Sequence, residues 1–144
     1  LMQISTDYNT YSKPTLILVT SRQDAVAYLA NDRNMDKIVE VHTKKPQYTD
    51  DEGHFERSGN GRVFGQGSTE KEIDDIVYSE FKSDLAEAVD DIKEDFDEVI
   101  VFAPDQYKNS TVESLSKSVQ DKIKSVHAAN VVHEHPTDIL KRLQ

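Results

Sequence analysis

All five glycines of this 144-residue chain lie between Gly53 and Gly67. Glycine enters backbone conformations that other residues resist, at an entropic cost. So dense a group marks a segment that bends sharply, approaches something closely or stays mobile. A long helical pattern starts directly after it, so the region is the first place to look for a working site.

The chain divides around that segment. Thr15-Leu-Ile-Leu-Val-Thr20 is a short apolar, β-rich run after Pro14 and reads as a buried strand. Asp24-Ala-Val-Ala-Tyr-Leu-Ala30 follows across a gap that suits a hairpin turn. After a turn at Asn31 to Asn34, Lys37-Ile-Val-Glu-Val-His42 makes a third strand. These three form an expected antiparallel meander. The connection from Thr43 to Ser68 is polar and holds Pro46 and every glycine; connections of this length are usually functional or disordered.

Thr69-Glu-Lys-Glu72 is a capping box, in which the threonine oxygen takes an N–H at the helix start while the glutamate reaches back. Ile73, Ile76, Val77, Phe81, Leu85, Val89, Ile92 and Phe96 then recur at spacings of three and four, which predicts an amphipathic helix over 69–96. Glu98-Val-Ile-Val-Phe-Ala103 is a strand stopped by Pro104. Ser110-Thr-Val-Glu113 is a second capping box, with Val112, Leu115, Val119 and Ile123 on one helix face. Asn130 to His135 is expected as the last strand, and Pro136-Thr-Asp opens a terminal helix through Leu143. The later half is a βαβ pattern, so its two strands should be parallel. The expected fold class is α/β: a five-stranded mixed sheet, antiparallel meander then βαβ, covered by helices. Residues 1–13 are expected as a flexible N-terminal arm and 14–144 as one domain.

The net charge is -10, and between Thr69 and Phe96 three lysines face eleven carboxylates. A helix so acidic repels phosphate backbones and, beyond serving as a solvated face, can meet a basic protein surface. The chain contains no cysteine, which excludes disulfide and thiolate chemistry and fits a reducing compartment such as the cytoplasm. No apolar run approaches the roughly 20 residues that span a bilayer, and the polar start does not read as a signal peptide.

Few residues carry chemistry. Gln66, between Gly65 and Gly67, can project its amide from a loop and position a water, or simply be solvated. Arg57 and Arg62, with the backbone N–H groups around Gly59, Gly61, Gly65 and Gly67, can hold an anion. The neighbouring Asp50, Asp51, Glu52 and Glu56 offset that charge, and the Gly-Lys-Ser/Thr ending of a nucleotide loop is missing. His133 and His135, two apart on the expected last strand, would face one side and form either a partial zinc site with His42 or a polar sheet edge. The strand cores 15–19 and 99–103 hold no carboxylate for a metal nuclease. There is no dinucleotide fingerprint and no Gly-x-Ser-x-Gly elbow, so no cofactor is expected.

Taken in order, Leu16-Ile-Leu-Val-Thr20, Asp24-Ala-Val-Ala-Tyr28, Gly61-Arg-Val-Phe64, the long amphipathic helix and Val99-Ile-Val-Phe-Ala-Pro104 resemble the bacterial family named "protein required for attachment to host cells". The resemblance spans about Pro14 to Leu143. That family is similar in turn to the middle domain of archaeal and eukaryotic class-1 peptide-chain release factors and of Pelota. The resemblance implies a ribonuclease-H-like sheet and a ribosome or tRNA partner, as in rescue or hibernation. In release factors a Gly-Gly-Gln loop before a basic helix promotes peptidyl-tRNA hydrolysis; here Gly65-Gln66-Gly67 precedes an acidic one. We read the chain as a non-enzymatic binding domain that uses the glycine-rich loop 43–68 for recognition. Two alternatives are an ester hydrolase with Gln66 orienting water, and a protein-interaction module using the acidic helix 69–96.

Overall fold

The computed structural model describes residues 2–4, 11–43 and 70–143. In chain order the elements are β1 (Met2–Gln3), β2 (Tyr11–Thr20), β3 (Asp24–Asp32), β4 (Asn34–His42), α1 (Glu70–Asp90), a 3-10 turn (Lys93–Asp95), β5 (Glu98–Ala103), α2 (Lys108–Ser114), α3 (Lys117–Gln120), β6 (Ile123–Ala128) and α4 (Pro136–Lys141). Among the described residues one sheet contains every strand, in the order β1-β4-β3-β2-β5-β6. The meander β2–β3–β4 is antiparallel, whereas β5 is parallel to both β2 and β6. This is the expected five-stranded mixed sheet, lengthened at one edge by the two-residue β1 on β4. Met2–Gln3 and Tyr11–Lys13 of the expected arm thus lie in strands.

The centre is β2, because the uninterrupted run Thr15–Thr20 is buried on both faces. Such a strand reads as a continuous apolar stretch rather than an alternation. Its alternate side chains feed two cores. Leu16 and Leu18 join Ala25, Ala27, Val99 and Val101 beneath Phe81, Leu85 and Val89 of α1, with Leu115 and Val119 completing the layer. Ile17 and Val19 join Tyr28, Met35, Ile100 and Phe102 on the opposite face, covered by Val131, Val132, Ile139 and Leu140. The hydroxyl of Thr20 donates to the carbonyl of Phe102 at 3.1 Å, so the last polar group of β2 is satisfied by its parallel neighbour.

The turns follow simple chemistry. Asn31 pairs with Asn34, and Asp32 takes the positive φ of 54° that this tight turn requires. Aspartate is among the few residues other than glycine that tolerate the left-handed region. At the other hairpin the Ser21 N–H donates to the Asp24 carbonyl at 2.8 Å.

Three expected boundaries are corrected. The long helix ends at Asp90 rather than Phe96, and a 3-10 turn replaces its last part. Lys122 sits against that end, donating to the carbonyls of Lys93 at 2.6 Å and Phe96 at 2.9 Å. Second, the helix expected from Ser110 to Ile123 is two short ones. It starts earlier, at Lys108, breaks where Leu115 is extended, and restarts because the Ser116 hydroxyl accepts from the Val119 N–H. Ser110 does not cap: its hydroxyl donates to the Tyr107 carbonyl and meets the Tyr78 hydroxyl at 2.6 Å. Third, the last strand is Ile123–Ala128 rather than 130–135. Val131 and Val132 attracted that expectation by being β-branched, but they are buried as a lid on the sheet face instead of in a ladder.

Two outcomes test this packing. Phe81 of α1 is wholly buried against the sheet, so Phe81→Ala should cost about 3–5 kcal/mol, read as a lower denaturation midpoint at unchanged slope. The guanidinium of Arg142, bonded to both oxygens of Glu134 at 3.1 and 2.9 Å, holds that carboxyl below its ordinary value of 4.5. A depressed carboxyl stabilises the fold above its unfolded value and loses the effect as pH falls through the folded value. The melting-temperature deficit of Glu134→Gln should therefore be present at neutral pH and vanish in acid. A pH-independent deficit would contradict the assignment.

Candidate functional site

The glycine-rich segment is rooted at one end of the sheet. β4 finishes at His42, opposite Asp24, and its side chain bonds to the Asp24 carboxylate. Thr43 is buried there: its N–H donates to the Gln23 carbonyl at 3.0 Å, and its own carbonyl accepts from Gln23 Nε2 at 3.0 Å. Its hydroxyl reaches Asp84 of α1 at 3.2 Å. On the other side of the segment, Asp74 in the first turns of α1 meets Arg22 of the β2–β3 turn at 3.5 Å. Both roots thus converge on the Ser21–Gln23 turn, where β2 runs out. Because β5 is parallel to β2, this is also the carboxyl end of the parallel strands, the end at which open α/β sheets hold their ligands.

Arg57, Gly59, Gly61, Arg62, Gly65, Gln66 and Gly67 all lie outside the described residues. The structure supplies the frame around them. Arg22, Gln23, Thr43 and Asp84 form that frame, and none was singled out from sequence. Only the turn position of Arg22 and Gln23 marked them; the reach of Thr43 to Asp84, 41 residues on, has no local signal.

The helix expected to be acidic is so in space as well. Along α1 the outward positions include Glu72, Asp75, Asp84 and Glu87, while Phe81, Leu85 and Val89 face the core. On a flank of α1, Tyr78 meets the ring of Tyr107 in a tilted contact at 4.6 Å, bonds to Ser110 and Thr111, and carries the Lys82 ammonium 4.7 Å over its ring. That flank fastens α1 to α2.

The histidine pair is corrected. Neither His133 nor His135 is on a strand. His135 is the N-cap of α4, its Nδ1 accepting from the Thr137 N–H at 3.1 Å. A ring nitrogen used to satisfy a helix terminus is withdrawn from metal binding. Among the described residues no group of three or more His, Cys, Asp or Glu converges as a metal site. No helix among them is long and apolar enough to cross a membrane.

A concavity lies at the other end of the sheet, on the face away from α1. It is a cleft of about 390 Å³ between the amino ends of β2, β5 and β6 and the end of α4. Ile100 and Leu143 are its apolar lining. Tyr11, Ser12, Lys124, Ser125, His127 and Arg142 supply polar groups, and Glu98 the carboxylate. Sequence reasoning missed it because β6, which carries three of these residues, was expected to be helix or connection.

No family profile and no curated protein matches this chain in sequence. Solved structures do match in fold. An archaeal translation termination factor superposes with a TM-score of 0.56 at 14% identity, over 89% of this chain and 36% of its own. Pelota from Archaeoglobus fulgidus superposes with a TM-score of 0.55 at 19% identity, over 94% of this chain and 32% of its own. The chain therefore spans about a third of the length of these factors, and it has the α/β fold of the release-factor and Pelota middle-domain type.

Proposed function

We propose that the chain is a binding domain of the translation apparatus, engaging a ribosome or tRNA through segment 43–68. The observation that carries this reading is the likeness in fold to a translation termination factor over 89% of the chain. The roots of the segment support it, since Thr43 and Asp74 of α1 each bond to the β2–β3 turn at the carboxyl end of the parallel strands. The acidic outer face of α1 restricts the docking. Carboxylates at Glu72, Asp75 and Glu87 repel RNA phosphates, so RNA contact falls to Arg57, Arg62 and the glycine amides, while a basic ribosomal protein can take the helix. The reading includes the cytoplasm as the working compartment. It also includes membership of the host-attachment family, carried by Gly61-Arg-Val-Phe64 and Val99 to Pro104.

One feature favours a hydrolytic alternative: Gly65-Gln66-Gly67 stands just before the long helix of a release-factor-like fold. In that reading Gln66 orients water against the ester of peptidyl-tRNA. Gln66→Ala separates the two. A hydrolase loses at least about tenfold in turnover, and a binder has no turnover to lose.

Sedimentation of native lysate through sucrose gradients tests the main reading. The protein should travel with ribosomal particles at low salt and be released as salt rises. The double variant Arg57→Ala, Arg62→Ala should stay at the top of the gradient. Reversing charge with Asp75→Lys and Glu87→Lys should leave co-sedimentation in place if the segment makes the contact, and abolish it if α1 does. A wild-type protein absent from the ribosomal fractions at every salt concentration would remove the translation reading.

A further inference from the structure

We propose that the cleft at the amino ends of β2, β5 and β6 is a second binding site, one that takes a small phosphomonoester. It lies at the opposite end of the sheet from segment 43–68 and does not depend on the reading above. A mere packing defect is apolar and dry. This cleft is instead rimmed by hydrogen-bonding groups from four separate elements over an apolar patch at Ile100 and Leu143. That combination, at a volume of about 390 Å³, is what small-ligand sites have.

The sign of the site is set by its charges. Two cations, Lys124 and Arg142, face one lining carboxylate, Glu98. The lining by itself is therefore net positive, and the charges balance once Glu134, paired with Arg142 just outside the lining, is counted, in a chain whose total is -10. Neither cation is locked away from a ligand. Lys124 meets Glu98 at 3.7 Å with 59% of its side chain exposed, and an exposed pair of that kind is worth little. Arg142 spends Nε and Nη2 on Glu134, whereas a guanidinium has five N–H donors. The pair with Glu134 also fixes the planar group in place, which lowers the ordering cost of binding.

The same lining holds a pre-set polar pair. His127 Nε2 lies 3.1 Å from the Ser125 hydroxyl, and its ring stacks on the buried Phe102 at 4.9 Å. Both residues face the cleft side of β6 because they pair with Ile100 and Phe102, which belong to that core. Ser12 adds a hydroxyl, and Tyr11 adds a phenol that burial keeps protonated and able to donate. Cationic and hydroxyl donors arriving from several directions suit the three terminal oxygens of a phosphomonoester better than the two of a carboxylate. The cleft is much larger than a phosphate group, so the ligand carries an organic body over Ile100 and Leu143.

Amide chemical-shift titration of the intact chain tests this, with inorganic phosphate, adenosine monophosphate and acetate as probes at constant ionic strength. Saturable shifts at Lys124, Ser125 and His127 are expected with phosphate, and tighter ones with adenosine monophosphate. Lys124→Gln and Arg142→Gln should each weaken binding at least about tenfold. Lys124 is largely exposed, so Lys124→Gln keeps the fold, whereas Arg142→Gln also removes the stabilising pair with Glu134, and Ser125→Ala should weaken binding with no change of charge. Non-saturating shifts, shifts unaltered in the variants, or shifts located on α1 would overturn the site. Acetate binding as tightly as phosphate would overturn the phosphomonoester assignment.

Discussion

The constraint on which this structure depends is the removal of Thr15–Thr20 from water on both faces. A strand buried in that way can leave no backbone N–H or carbonyl without a partner. It therefore requires a neighbour on each side, antiparallel β3 and parallel β5. It also requires a cover for each face, because Leu16 and Leu18 point one way and Ile17 and Val19 the other. The mixed character of the sheet follows. A hairpin brings β3 back along one side, whereas β5 returns in parallel only after the chain has crossed the sheet as α1. The two cores are thus answers to a single apolar run.

The division of labour between the two ends of the sheet follows from the same arrangement. At the carboxyl ends of the parallel strands, the β2–β3 turn serves as a hub. Gln23 fixes Thr43 and Arg22 reaches Asp74, so both sides of segment 43–68 are held to one turn. At the amino ends, α4 and the Val131–Val132 lid stop short of covering the sheet, which leaves polar side chains of β6 facing a gap over Ile100. The charge distribution accentuates the contrast. The carboxylates crowd along α1, while the basic lining of the cleft is on the other face.

The legibility of the fold tracks how local its causes are. The meander, the long helix and β5 were readable because burial on one or both faces writes a period directly into the residues. The last strand was misplaced for two reasons. Ile123–Ala128 is an edge strand paired on a single side, so Lys124, Ser125 and His127 are tolerated there and its pattern is diluted with polar residues. Val131 and Val132 have the composition of a strand, yet they are buried by packing across the sheet face. Local composition does not distinguish burial in a ladder from burial beneath a lid. The Ser110 capping box failed for a related reason: the hydroxyl it needed is taken by Tyr78, 32 residues earlier in the chain.

By itself the sequence determined the α/β class, the three-strand meander, the sidedness of α1 and the confinement of glycine to one segment. Each of these follows from side-chain size, polarity and spacing within a few turns or strand residues. Tertiary structure alone decided which residues share a place: Thr43 with Asp84, Lys122 with the 3-10 turn after α1, and Lys124 with Arg142 across a cleft. It also placed His135 at a helix N-cap rather than on a strand. The physical reason is range. Periodicity reports what a residue's own element requires of it, whereas a site is made where separate elements meet, and that meeting is set by the packing of the whole sheet.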